Sequence, residues 1–190
     1  MKPGQVRIIA GKWRSRRLQV PDVKDLRPTP DRVRETLFNW LAPYIEGACC
    51  LDAFAGTGIL GFEALSRGAA FAVMVDQSAE VVALLQQELA EFGADNALVY
   101  RAKVPEQLRA PARPFDLVFL DPPYQSDLLL PVCHYLEKHS FLAEAAYIYL
   151  EAKQTIKDND LPSNWRLMKS QQAGQVAYHL ARRESKAHDE

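Results

Sequence analysis

The sequence predicts an α/β fold, a mostly parallel sheet covered on both faces by helices and finished by an antiparallel pair of strands. Three observations predict it. From Ala48 onward, short apolar runs alternate with segments of helical periodicity, the pattern of strand–helix–strand units. A glycine turn, Gly56-Thr57-Gly58, follows the first of these runs, and a rigid Asp121-Pro122-Pro123 follows the fourth. The last part of the chain instead alternates residue by residue around Gly174, as an antiparallel hairpin does. With 190 residues, 48% of them hydrophobic and 25% charged, the chain suits one globular core.

Taken in order, residues 5–18 carry strand-like runs broken at Ala10-Gly11 and predict a small β-hairpin or extended arm appended to the main sheet. Thr29 is placed to cap a helix with Pro30 at its first position, and Val33, Leu37, Trp40 and Leu41 then recur at helical spacing up to Pro43. Strands are expected near 48–54, 71–76, 96–101, 115–121 and 145–151, with helices near 58–67, 78–92, 104–109 and 127–138. Val82, Leu85, Leu89 and Phe92 form one apolar stripe between a Ser78 cap and Gly93, and Leu129, Val132, Cys133 and Leu136 form another. With Trp165 and Leu167 pairing against Val176, Tyr178 and Leu180, the sheet reaches seven strands. The expected organisation is a basic arm over 1–26, a main domain over 27–182 and a disordered charged tail over 183–190.

Composition narrows the function. Residues 1–40 hold ten Lys/Arg against four Asp/Glu, while the remainder hold thirteen against twenty. A positive lobe on an acidic body suits a polyanion, because phosphate contacts dominate nucleic-acid affinity. The plainer alternative is a solvated charged face. Cys49, Cys50 and Cys133 match neither a metal-ligand spacing nor a disulfide framework, and read as core residues of a reducing compartment. No signal peptide and no membrane-length apolar run is present, so a soluble, cytoplasmic protein is expected. His134, His139, His179 and His188 form no ligand constellation and read as surface or packing residues. No metal is expected.

Two motifs carry chemistry. Gly56, Gly58 and Gly61 satisfy G-x-G-x-x-G, and Asp76 follows Gly58 by eighteen residues at the end of the next strand. A nicotinamide dinucleotide site fits that spacing. Asp52, four residues before Gly56, favours another ligand. A carboxylate there would repel a pyrophosphate, whereas S-adenosylmethionine carries an ammonium and no phosphate. The second motif, Asp121-Pro122-Pro123-Tyr124, ends the buried run Phe115–Leu120, where open parallel sheets place ligands. An exocyclic amine on a base is a poor nucleophile because its lone pair is delocalised. Asp121 and the Pro122 carbonyl can accept its N–H groups, and Tyr124 offers a ring for a flipped-out base. A rigid loop closing a strand is the alternative.

Together these residues resemble class I methyltransferases, Rossmann-like enzymes, and within them the RsmD family, which methylates the N2 amine of a guanine in 16S ribosomal RNA. The similarity covers nearly the whole chain. It includes Arg7-Ile8-Ile9-Ala10-Gly11-Lys12-Trp13-Arg14, the block from Leu26 to Leu41, and Gly61 to Ala69. The block from Leu26 to Leu41 is the most specific, since other methyltransferases share the two motifs but not this sequence. The resemblance implies that Asp52, Ala53, Phe54, Gly56 and Gly58 surround the methionine part of S-adenosylmethionine, that Asp76 binds the ribose, and that Asp121, Pro122 and Tyr124 form the catalytic clamp. Many relatives carry Asp or Asn for the adenine amine where Lys103 stands, and lysine cannot accept a hydrogen bond. Backbone groups around Val104 are therefore the expected adenine contacts.

The implied partner is 16S ribosomal RNA in the small subunit or its assembly intermediate, met by a monomer. Arg7, Lys12, Arg14, Arg16 and Arg17 are expected to grip phosphates, with Arg27, Arg32 and Arg34 lining the approach to the cleft. Trp13 either stacks on RNA or anchors the arm. Rivals are an adenine-N6 or glutamine-N5 methyltransferase, a non-catalytic RNA-binding assembly factor and, more remotely, an oxidoreductase. The glutamine enzymes usually show Asn at the position of Asp121.

Overall fold

The computed structural model describes residues 4–23, 26 and 28–185. Its centre is a seven-stranded sheet built from β3 (Cys49–Asp52), β4 (Phe71–Asp76), β5 (Ala97–Arg101), β6 (Phe115–Leu120), β7 (Leu142–Ala152), β8 (Trp165–Ala173) and β9 (Val176–Arg183). The order across the sheet is β5-β4-β3-β6-β7-β9-β8. The first five strands run parallel, and β9 and β8 close the far side antiparallel. The chain progresses outward from β3 to β5, then returns to lay β6 on the opposite side of β3. Open sheets of this kind bind ligands at such a reversal, here the carboxyl ends of β3 and β6.

Three helices cover one face: α1 (Asp31–Leu41), α2 (Ile59–Ser66) and α3 (Ala79–Phe92). They pack with Met74, Phe119 and Tyr149 in one core cluster. The other face is covered by α4 (Leu129–Lys138), with Val73, Val118 and Leu150 among the strand residues beneath it. α4 buries the expected Leu129, Val132, Cys133 and Leu136. α3 starts where Ser78 Oγ accepts the Val81 N–H at 3.3 Å and stops at left-handed Gly93. All three cysteines are buried and free. Among the described residues no helix is long and apolar enough to cross a membrane.

Several expectations need correction. No helix forms over 104–109; the segment is a turn whose Val104 and Leu108 dip into the core. Pro105 and Pro111 flank too short a stretch for a cooperative helix. At α1, Pro30 is the capping residue and no side chain caps. The Pro30 carbonyl accepts the Arg34 N–H, and the Thr29 carbonyl accepts Arg34 Nε at 3.2 Å. Phe38 and Arg34 lie on the inner face of that helix, while Trp40 is half-buried and stacks on Tyr178, 5.7 Å between ring centroids. β9 includes Arg183, assigned to the tail from sequence. Its guanidinium bonds Glu137 at 2.7 and 3.0 Å, which holds it in place.

The arm is a hairpin of β1 (Gln5–Arg7) and β2 (Arg17–Gln19), paired through Val6 and Leu18. It shares the core of the main body, since Val6, Ile8, Trp13 and Leu18 belong to the same cluster as α1–α3. Ser66 and Glu63, on α2, fix its backbone. Glu63 accepts the Ile9 and Ala10 N–H groups at 2.8 and 3.0 Å. Ser66 Oγ accepts the Trp13 N–H at 2.9 Å. The approach is so close that a Cβ on Gly11 would lie 1.9 Å from the Ser66 carbonyl oxygen.

Candidate active site

Four adjacent parallel strands each carry an acidic residue at or next to their carboxyl end, on one face. Asp52 pairs in register with Met74 and with Phe119, and Tyr149 pairs with Phe119. Side chains alternate along a strand, so Asp76, two beyond Met74, Asp121, two beyond Phe119, and Glu151, two beyond Tyr149, share the face of Asp52. The row Asp76, Asp52, Asp121, Glu151 thus follows the strand order and spans the reversal point.

Within the row, Asp52 is 3% exposed and its Oδ2 accepts the Gly61 N–H at 3.3 Å, in the first turn of α2. Burial pushes its carboxyl up to about 7, with the charge of Asp76 adding to the effect. Asp76 bridges the glycine turn to the next segment: Oδ2 accepts the Gly56 N–H at 3.0 Å and Oδ1 the Ser78 N–H at 2.8 Å. Gly58 has φ of 73°, and a Cβ there would lie 2.4 Å from Leu85 Cδ2, so only glycine lets the turn close under α3. Ala53 donates its N–H to the Phe119 carbonyl at 3.2 Å, tying the glycine turn to the strand that carries Asp121. Phe54 is half-buried and Gly56 partly open to solvent.

Asp121 and Pro122 are half-buried at the end of β6, and Tyr124 is 54% exposed beside them. The Asp121 carboxylate makes no hydrogen bond among the described residues. Burial first, and then the neighbouring charges of Glu151 and Asp52, push its pKa well up. Lys153 Nζ stands 4.8 Å from the Tyr124 ring centroid. Val104 is buried just beyond β5, and the exposed Lys103 gives its backbone N–H to Gln107 Oε1 at 2.8 Å. Glu151 and Lys153 were missed from sequence, although the signal existed: Glu151 ends an apolar run as Asp52, Asp76 and Asp121 end theirs. Among the described residues no group of three or more His, Cys, Asp or Glu is arranged to hold a metal ion.

The basic residues divide. Arg7, Lys12, Arg14, Arg17 and Arg32 are exposed. Arg7 stands 3.9 Å from Asp31, and Arg17 donates to Gln5 Oε1 at 3.5 Å. Arg16 is exposed but lies over the Phe92 ring at 3.5 Å and donates to the Glu91 carbonyl. Arg34 is 0% exposed and cannot reach RNA. Its donors are used by the Thr29 and Arg7 carbonyls, Glu63 and Asp31. Trp13 is 7% exposed and packs on Phe62 and Phe92, which makes it the arm's anchor rather than a stacking platform. Arg27 lies outside the described residues, as does His188. His134 and His139 are exposed, and His179 is buried, its Nδ1 2.7 Å from Ser170 Oγ.

Known proteins resemble this chain along almost its whole length. The family model described as "Conserved hypothetical protein 95" matches residues 6–182. "Ribosomal RNA small subunit methyltransferase D" of Escherichia coli strain K12 is 48% identical over 96% of this chain and 92% of its own length. The protein of the same name from Haemophilus influenzae is 44% identical over 93% of each chain. The solved structure of Escherichia coli yhhF superposes with a TM-score of 0.87 at 47% identity, covering 96% of this chain and all of that one. Fold and relatives define the class: the S-adenosylmethionine-dependent methyltransferases. Within that class the chain belongs to the RsmD family.

Proposed function

We propose that the protein methylates the exocyclic N2 amine of one guanine in 16S ribosomal RNA, in the small subunit or its assembly intermediate. The observation that carries this reading is the unpartnered Asp121 carboxylate, set between the buried strand β6 and the exposed Tyr124 at the sheet's reversal point. Relatives named for methylation of the small-subunit ribosomal RNA support the substrate class.

The residues present fit the cofactor. A buried carboxylate held near neutrality by desolvation, as Asp52 is, becomes favourably charged when a cation arrives. Asp52, Ala53, Phe54, Gly56 and Gly58 would hold the methionine end, Asp76 the ribose and the backbone at Val104 the adenine. Each Asp76 oxygen accepts one backbone N–H and keeps a lone pair for a hydroxyl. When bound, S-adenosylmethionine supplies a methyl group on positively charged sulfur.

The protein's own part is positioning. Asp121 and the Pro122 carbonyl accept the two amine hydrogens, which localises the nitrogen lone pair and aims it. Tyr124 stacks on the extruded base. Once nitrogen carries its new carbon it bears a positive charge, and Asp121, whose affinity for protons is raised by its surroundings, takes the surplus proton. Arg7, Lys12, Arg14, Arg17 and Arg32 contact phosphates and fix the register of the RNA. The test is transfer of labelled methyl to unmodified small subunits and to naked 16S RNA, followed by nucleoside analysis. N2-methylguanosine at one position is expected. N6-methyladenosine, or no product from either substrate, would overturn the reading.

A further inference from the structure

We infer that Glu151 reads the guanine: its carboxylate accepts the base N1–H beside the amine held by Asp121, so that the clamp selects guanine over adenine. This rests on the reading of Asp121 to Tyr124 as the amine clamp.

The placement follows from strand register. Leu120 and Leu150 are partners in the parallel pair β6–β7, so the next residues, Asp121 and Glu151, emerge side by side on one face. Neighbouring strands lie about 4.8 Å apart, the scale on which adjacent donors on one base edge can each meet a separate carboxylate. Glu151 is also oriented. Tyr149, 1% exposed, donates its O–H to Glu151 Oε2 at 2.9 Å, which leaves the other oxygen free to face the clamp. Among the described residues the half-buried Glu151 has no cationic partner within salt-bridge distance, and its carboxylate takes no hydrogen bond other than that from Tyr149.

Base chemistry supplies the selection. Along its pairing edge guanine presents N2–H donors and then the N1–H donor. Adenine presents an N6 amine beside N1, which is an acceptor. An acceptor at Glu151 therefore matches guanine and faces adenine with lone pair against lone pair. A site built to accept a particular hydrogen discriminates strongly against an analogue without it, because its own group is left unpaired. Lys153, beside the Tyr124 ring, puts a donor on the same rim, where the keto oxygen next to N1 would need one.

The experiment compares small subunits assembled with guanosine or with 2-aminopurine riboside at the modified position. 2-Aminopurine keeps the C2 amine but has a bare, accepting N1 and no keto oxygen, so the wild-type preference reports Glu151 and Lys153 together and the change in Glu151→Gln reports Glu151. For the wild-type protein kcat/KM should favour guanosine by roughly 10- to 100-fold. In Glu151→Gln that ratio should fall at least several-fold, since the amide can donate to bare N1 while the Lys153 contact is untouched, and S-adenosylmethionine binding measured by calorimetry stays the same. A Glu151→Gln ratio equal to the wild-type ratio would overturn the inference. Tyr149→Phe, which releases the carboxylate without removing its charge, should also lower the ratio. If Glu151→Gln fails to fold, an unchanged ratio in Tyr149→Phe overturns the inference alone. A wild-type protein that methylates no guanosine substrate overturns the clamp reading beneath it, an outcome distinct from either variant's ratio.

Discussion

Arg34 Nη1 lies 3.4 Å from Glu63 Oε2, and both side chains are fully excluded from solvent. Glu63 also receives Arg67 Nε at 2.8 Å and the two arm N–H groups. Removing one member of such a group strands its partners' charge and donors. Glu63→Ala is expected to cost about 3–5 kcal/mol, a fall in Tm of roughly 6–20 °C for a chain of this size. Calorimetric melting checks it, and a shift below about 2 °C would mean the network contributes little.

Asp121→Ala should abolish methyl transfer while leaving S-adenosylmethionine affinity nearly unaltered, because in the proposed clamp its carboxylate holds the amine, and among the described residues it bonds no part of the glycine turn. Asp76→Ala should do the converse, weakening the cofactor, since Asp76 holds both Gly56 and Ser78. Paired binding and single-turnover measurements separate the two. Loss of cofactor binding in Asp121→Ala would contradict the assignment.

Cofactor binding should release a proton below neutrality. The Asp52 carboxyl titrates near 7 in the folded chain because it is buried, whereas an unfolded aspartate titrates near 3.9. The folded chain therefore binds the extra proton between about pH 4 and 7, so this residue makes the free protein less stable as pH rises through that window. A cation beside it favours the ionised form. Affinity should increase as pH rises from 6 to 8, with nearly one proton released at pH 6 and almost none above pH 8. Titration calorimetry in buffers of different ionisation enthalpy reads this directly, and a pH-independent affinity would place the ammonium elsewhere.

Replacing Arg14, Arg17 and Arg32 together should weaken RNA binding and lower the slope of log K against log salt by about 2 to 3, given roughly 0.7–0.9 for each phosphate left without its cation. All three are exposed and outside the Glu63 network. An unchanged slope would move the RNA surface off the arm.

How far the sequence is readable varies with the kind of contact. Strand positions and both motifs are local in origin: alternation, glycine spacing and a rigid Asp-Pro-Pro at a strand's end survive in one dimension. Arg34 and Trp13 look from sequence like RNA contacts because their burial depends on Glu63, Phe62 and Phe92, some 29 to 79 positions away. Glu151 gains meaning only through the register of β6 with β7. The segment 104–109 shows the opposite failure, where apolar spacing suggests a helix and the stretch between Pro105 and Pro111 is too short to hold one.

The docking of the arm also has a consequence in time. Gln19 donates to a carboxylate 69 residues later, on Glu88, and Ile9 to one 54 residues later, on Glu63. During synthesis at about 5–20 residues per second, Gln19 emerges roughly 3–14 seconds before Glu88 exists. For that interval the most positive part of the chain lacks part of the surface it docks on, while it is still tethered to the ribosome that makes it.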